Sequence, residues 1–387
     1  MRQTNRFRLF YGFGYGAMGV VNPLIGQYMG SIGFSGTQIG TVTSLATAIA
    51  VFAATFWGDR YANSRDGRKV IALICILAGM MSLVNSIAGV FILFLFSYGI
   101  QYFFQGPVMG MSDALVLESE QENFSSIRLC GAVGYAAAVF IGGKIGGVLG
   151  LKTIFYMNAV CFSLAALTVL TVKASAVEKS GHGKRKPSER VRYSALLSEK
   201  RALQLIVCGI FVMGSNVANN TYFGFLFTEG GGTVSGVGTA FLLMVGSEAP
   251  FMALAPKLCR RFSREKTIFF AMVLSAVRFG LYALGPSDTF LLATFFLQGM
   301  VNGILLTEYV KYLSEAVDVR LIALAVAAFY AVSSNGGTIL CSFLGGVAMD
   351  LFGATGVYAL FSGMNAVGAA LYMAFGLHRK TEKVMKE

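Results

Sequence analysis

Histidine is nearly absent from this chain. There are two, His182 and His378, and both lie in polar segments. A histidine proton relay inside an apolar run and a His-x-x-x-His metal site are therefore excluded. Charge is scarce as well: Asp, Glu, Lys and Arg make up 13% of 387 residues, against roughly 25% in an ordinary soluble chain. The six cysteines, at 75, 130, 161, 208, 259 and 341, stand singly in or beside apolar runs, with no C-x-x-C. Neither a disulfide framework nor a zinc site is expected. There is no G-x-S-x-G and no acidic metal cluster. The chain is expected to be no enzyme and to need no metal and no cofactor. The glycosylation pattern occurs at Asn123 and Asn219, and both are read as chance matches.

What is present is apolar sequence, 55% of the chain. Runs of about 20 apolar residues recur, the mark of membrane-spanning helices. The first run follows the basic "MRQTNRFR" directly and carries no small-residue cleavage site, so no cleavable signal peptide is expected. The expected spans are 9–31, 38–58, 70–88, 90–117, 127–149, 152–172, 203–228, 235–257, 267–285, 288–312, 321–347 and 355–377. The fold class is all-α integral membrane, with twelve transmembrane helices.

The charges that remain orient it. Of 31 basic residues, all but Arg128, Lys144, Lys152 and Arg278 fall at the termini or in and beside the even connections. By the positive-inside rule both termini are cytoplasmic, in the cell inner membrane. The net charge of +12 then marks a rim against lipid rather than a nucleic-acid footprint. The lipid bilayer is an expected partner and nucleic acid is not.

The chain repeats weakly. "FWGDRYANSRDGRK" is echoed by "APKLCRRFSREK", and "GGVLGLKTIFYMNAV" by "GGVAMDLFGATGVYALFSG". Two six-helix halves, 1–173 and 201–387, are expected, joined by a basic cytoplasmic linker, 174–200. This is the major facilitator architecture, in which solute sits between the halves near mid-membrane.

An ionisable group inside a span costs at least ~2.5 kcal/mol on insertion scales, so it needs a partner and a task. The inventory includes Asp113, Arg128, Lys144, Glu248, Arg278, Glu308 and Lys311. It suggests two pairs, Asp113 with Arg128 and Glu248 with Arg278. Arg128, Ala132 and Tyr135 fall at i, i+4 and i+7, on one helical face. A guanidinium fork, a small gap and a ring suit a sugar or a ring-shaped solute. The other reading has Arg128 snorkelling at the cytoplasmic end. Glu308 and Lys311, at i and i+3, read as an end-of-helix ion pair before a site. Asp59 is expected to hold Arg68 and Lys69 across the second connection as a gate, or else all three are ordinary helix ends.

At these residues the chain resembles the lactose permease family of oligosaccharide:proton symporters and related nucleoside-type permeases. "IRLCGAVGYA" is similar to the fifth-helix sugar motif, which implies that Arg128, Ala132 and Tyr135 contact solute with Asp113 as carboxylate partner. "VGSEAPFMALAPKLCRRF" resembles the eighth-helix motif and places Glu248 at the acid that joins substrate binding to proton movement. "LSAVRFG" places Arg278 at the ninth-helix arginine, and "DGRK" with Asp59 matches the loop motif. The tenth helix departs: Gln298 and Val301 stand where the family has a histidine and the proton-carrying glutamate. On the seventh, Asn216 and Asn219 replace two aspartates, whose basic partners fall on Ser334 and Phe295. Joint replacement fits the cost of an unpaired buried charge.

The expected function is secondary active transport of a small polar solute (sugar, oligosaccharide or nucleoside-like) by alternating access. The expected coupling is proton symport, with sodium in its place as the alternative. Asn216, Asn219, Asn220, Gln298 and Asn302 would supply neutral hydrogen bonds to solute. Glu248, Arg278 and Glu308 would serve coupling. The alternatives are an exporter or aromatic/organic-acid carrier, a uniporter, and a non-transporting membrane sensor. A monomer is expected.

Overall fold

The computed structural model describes residues 2–173 and 193–379. Every regular element among them is helical, as hydrocarbon demands of a chain that must satisfy its own backbone groups. The first pass is α1 (Gln3–Val21) and α2 (Ile25–Ser31), broken at residues 22–24, where Pro23 cannot donate a backbone hydrogen bond. The second is α3 (Gly36–Asn63) and the third α4 (Gly67–Asn85). The Ser35 hydroxyl accepts from the Gln38 N–H while the Gln38 side chain accepts from the Ser35 N–H, starting α3 sharply. The fourth pass is α5 (Phe91–Gln105) and α6 (Val108–Glu120), interrupted at Gly106 and Pro107; α7 (Phe124–Leu149) and α8 (Thr153–Thr171) follow.

After a short α9 (Tyr193–Leu196) come α10 (Lys200–Glu229), α11 (Val234–Phe262) and α12 (Arg264–Tyr282). The tenth pass is α13 (Asp288–Thr294) with α14 (Phe296–Ala316). The last two are α15 (Ile322–Ala328), a π-helical stretch over Phe329–Gly336, and α16 (Gly337–Ala374). Gly353 divides α16 at φ 70° and ψ −169°, a backbone state open to glycine and strained for other residues. Among the described residues the fold is thus all-α, with twelve passes. Among the described residues, eight stretches are long and apolar enough to cross a membrane; two of them, 59 and 56 residues long, hold two passes each. The first and ninth passes fall short of that standard. α1 begins with Arg6 and Arg8, and α12 carries Arg264, Glu265, Lys266 and Arg278. Of the expected linker, 174–192 lies outside the described residues, and so does His182.

Contacts divide the chain into two compact units, Met1–Glu178 with Asn220–Leu242, and Lys179–Asn219 with Leu243–Glu387. In the first unit α1 and α7 meet backbone to backbone. A Cβ added to Gly134 would stand 2.2 Å from the Gly12 carbonyl oxygen, and one on Gly19 would stand 2.5 Å from that of Tyr135. Small residues permit such approach where no hydrophobic effect drives helices together. In the second unit α10 and α16 meet the same way, with a Cβ on Gly214 falling 2.3 Å from the Gly337 carbonyl carbon. First against fifth and seventh against eleventh is one pattern used twice. Third against sixth and ninth against twelfth is another. Ser82 on α4 donates to the Phe155 carbonyl at 3.0 Å, and Ser362 on α16 donates to the Ala276 carbonyl at 2.9 Å.

A prediction follows for α7. Gly134→Leu must part α1 from α7 and should cost about 3 kcal/mol or more, abolishing a monodisperse gel-filtration peak. Gly110→Leu, where a Cβ meets nothing within 4 Å, should leave the peak intact. Equal peaks from both variants would refute the close contact.

Candidate functional site

Each unit holds a polar centre. In the first, Arg128 Nη1 lies 3.5 Å from Asp113 Oδ2, so the pair expected from the sequence forms. α7 supplies the arginine and α6 the carboxylate. Tyr11 on α1 donates its hydroxyl proton to the other oxygen, Asp113 Oδ1, at 2.7 Å. The ring of Tyr15, one turn further on α1, sits where a Cβ on Gly131 would come within 2.5 Å of it. Phe124 lies under the guanidinium at 5.8 Å. Arg128 stays exposed at 57% of its side chain and Asp113 at 24%, so the fork keeps donors free. Ala132 and Tyr135 continue along α7, both half-buried.

Behind this centre runs a buried amide chain. Asn85 Nδ2 donates to Gln101 Oε1 at 2.5 Å, and Ser97 donates to Asn85 Oδ1 at 2.5 Å. Gln101 Nε2 donates to Asn158 Oδ1 at 3.2 Å and to Gln105 Oε1 at 3.1 Å. Asn158 in turn donates to the Ala17 carbonyl at 2.7 Å. It ties α1, α4, α5 and α8 by neutral hydrogen bonds, each closing a polar group that would otherwise be costly in hydrocarbon. At the break in the first pass, Asn22 Oδ1 accepts from Tyr102 at 3.1 Å.

The second unit's centre gathers on α10. Asn216 Nδ2 donates to Ser275 Oγ at 3.0 Å, and Asn216 Oδ1 accepts from Arg278 Nη2 at 3.1 Å. Gln298 Nε2 donates to the Asn216 carbonyl at 3.1 Å. Asn219 Oδ1 accepts from the Tyr358 hydroxyl at 2.7 Å, which buries this sequon asparagine. Arg278 is 1% exposed, its guanidinium carbon 4.3 Å from the Phe279 ring centre and 5.5 Å from that of Tyr282. Ring faces and an amide oxygen thus replace the expected carboxylate. The expected pair of Glu248 with Arg278 does not form. Glu248 is half-buried on α11 and makes no ion pair among the described residues. It stands two residues before Pro250, inside the helix. α14 is pressed against it: a Cβ on Gly303 would lie 2.8 Å from the Glu248 carbonyl oxygen. Asn220 and Asn302 are half-buried on α10 and α14.

A family model described as the MFS_1 like family matches residues 5–360. The chain belongs to that family. As a major facilitator transporter it is similar to the maltose permease of Geobacillus stearothermophilus, at 30% identity over 97% of this chain and 95% of that protein. It is also similar to a putative nucleoside transporter, YegT, of Escherichia coli (strain K12), at 23% identity over 90% and 88%. Among solved structures it resembles the nucleoside transporter NupG, with a TM-score of 0.87 at 18% identity, over 98% of this chain and all of that one.

In this major facilitator transporter the pairing expected of Asp59 with Arg68 and Lys69 does not form: Asp59 is exposed and makes no ion pair with either among the described residues. Asp66 takes its place, capping α4 and accepting from Arg68 Nε and Nη2, both at 2.8 Å. The residues between Asp59 and "DGRK" carry Asp59 away and bring Asp66 in. Arg68 Nη1 also donates to the Val172 carbonyl just past α8. The Arg68 hydrogen bonds hold the Asp66 carboxyl below its ordinary value. The clamp is therefore complete above pH ~4 and loosens only as pH falls through the depressed value. Lys69 is exposed.

Glu308 is 1% exposed between two cations, Arg264 Nε at 2.9 Å and Lys311 Nζ at 2.8 Å. The end-of-helix ion pair with Lys311 is therefore present, with Arg264 added. Arg264 also pairs with Glu315. Lys144 lies 5.6 Å from the Phe140 ring centre, a cation over an aromatic face. Tyr11, Tyr15, Asn22 and the amide chain were not legible as site residues. Their signals were the Tyr-x-x-x-Tyr spacing in "FYGFGYG" and the Asn-Pro break in the first run.

Proposed function

We propose that the protein is a secondary active transporter of a small polyhydroxylated solute, a sugar, oligosaccharide or nucleoside. It works by alternating access of two six-helix halves, 1–173 and 201–387, with both termini cytoplasmic. One observation carries the reading: Arg128, aligned by Asp113 and backed by Tyr11, presents a planar fork beside aromatic faces. A forked donor with a flat ring nearby grips adjacent hydroxyls and stacks on a sugar face. The likeness to a protein named maltose permease supports the sugar reading. Ala132, Tyr135, Asn216, Asn219, Asn220, Gln298 and Asn302 complete the candidate solute contacts. Uptake of labelled maltose and uridine into proteoliposomes tests it, and accumulation of neither, beside uptake of an aromatic acid, would overturn it. That second outcome is favoured by one feature. Arg278 is buried without a carboxylate, and its Nε and Nη1 make no hydrogen bond among the described residues.

Coupling is assigned to a proton at Glu248. An acid without a cation partner can gain and lose a proton as its surroundings change, and the two states differ in charge. Glu308, gripped by two cations, does not have that freedom. Glu248→Gln should abolish uphill accumulation, at least tenfold in steady-state ratio, while exchange down a gradient continues. Glu308→Gln should keep accumulation. Wild-type uptake indifferent to the pH gradient but driven by sodium would sink the assignment.

A further inference from the structure

At one end of the second unit, a cavity of about 470 Å³ is lined by Cys259, Arg260, Arg261, Phe262, Ser263, Lys266, His378 and Arg379. Four of these are cations and none is an acid. Arg260, Arg261, Lys266 and Arg379 make no ion pair among the described residues. The cavity beside it shares Arg260 and is charge-balanced, with Glu265, Glu308 and Glu315 against Arg260, Arg264 and Lys311. Glu308 and Glu315 there are already held by Arg264 and Lys311. Among the described residues, the positive charge of the first cavity is thus not spent in ion pairs with carboxylates.

Its walls are the last turn of α11, the first turn of α12 and the segment just after α16. Successive passes alternate in direction, so these three ends share the side of the membrane that carries the amino terminus. Ser263 links two of them at φ 73°, the sole non-glycine residue with positive φ among the described ones. This turn lets its hydroxyl accept from the Lys266 N–H at the start of α12. The start of a 19-residue helix adds its own partial positive charge. His378 Nδ1 is buried and without a hydrogen bond here. Phe262, in the cavity wall, and Phe375, three residues before His378, are both exposed.

We propose that this cavity binds the headgroup of an anionic phospholipid of the cytoplasmic leaflet, with the chains running along Phe262 and Phe375. Arg260, Arg261 and Arg379 fork onto the phosphate oxygens and Lys266 adds a point charge. Basic pockets at span ends draw anionic headgroups because the leaflet itself is negative. The flanking phenylalanines set a lipid apart from a soluble phosphate, which would make no use of them. The site lies on residues that the transport reading does not use.

The test is binding of tail-labelled phosphatidylglycerol to the full-length protein in detergent, read by fluorescence anisotropy. The triple variant R260Q/R261Q/R379Q should weaken it about tenfold or more, with labelled phosphatidylcholine unchanged. R260K/R261K, which keeps the charge, should retain most of the affinity. The control R60Q/R65Q/K200Q removes equal charge elsewhere and should have a small effect. Equal losses in control and pocket variants would reduce the effect to net charge and overturn the site. So would undiminished binding in the pocket triple, if it elutes as wild type. Full displacement of the lipid by millimolar inorganic phosphate would assign the cavity to a soluble anion and overturn the lipid.

Discussion

Arg128→Lys should weaken solute binding about ten- to hundredfold while the protein inserts and melts as wild type. The substitution keeps the charge and loses the planar fork. A hydrogen bond to a charged group contributes ~1.5–3 kcal/mol, and ~1.4 kcal/mol is tenfold in affinity. Stability should hardly move. The ion pair with Asp113 spans 3.5 Å with the arginine side chain 57% exposed, and pairs so open to solvent contribute at most about 1 kcal/mol. Asp113→Asn should have a weaker effect of the same sign, because Tyr11 can still donate to the amide oxygen and hold it in place. Calorimetric titration with the solute found in the uptake screen, together with thermal melts, separates the two quantities. Near-wild-type affinity in Arg128→Ala would remove the residue from the site and restore the snorkelling alternative.

Most of the passes were legible because lipid enforces them: apolar run length locates ten of the twelve, and the first and ninth fall short of it. Three features were not. The breaks at Pro23 and Pro107 shift helix ends without interrupting the apolar pattern. The π-helical stretch Phe329–Gly336 has no composition of its own. The glycine contacts Gly12–Gly134 and Gly214–Gly337 are distant in sequence, so the glycines announced close packing without naming partners.

For the candidate site, charge was the guide where charge meets charge. Asp113 and Arg128 are the acid and base set inside two consecutive spans, and they pair. The same logic failed for Glu248 and Arg278, because a buried guanidinium can be held by rings and amide oxygens. Asn216, Phe279 and Tyr282 do this, and none of them draws notice in an inventory of charges. It failed again at Asp59, where a nearer acid, Asp66, was available to the same arginine. The hydrogen-bonded amides Asn85, Gln101 and Asn158 are buried completely. A sequence reading attentive to charge passes over them, although a neutral amide left without a partner in hydrocarbon still costs roughly 2–7 kcal/mol.

Arg264→Met should be the most destabilising single change among the charged residues of the second unit. Its guanidinium holds Glu308 at 2.9 Å and reaches Glu315 as well. Glu308 is 1% exposed, so its carboxylate cannot turn to water when the arginine goes. Removing one partner of a buried pair costs about 3–5 kcal/mol. Lys311, at 2.8 Å and 45% exposed, remains and should reduce that to roughly 2–3 kcal/mol. Glu308→Leu alone leaves two cations that are 22% and 45% exposed, and these can reorient toward water at a lower cost. The double variant Arg264→Met with Glu308→Leu removes both charges and puts apolar groups of similar volume in their place. It should be close to wild type or within ~1 kcal/mol of it, so the two single losses should not add. Unfolding by titration with a denaturing detergent, run on all four proteins, yields the coupling free energy directly. Strictly additive losses would mean that Glu308 does not depend on Arg264. That result would release Glu308 from its structural task and return it to the candidates for proton transfer.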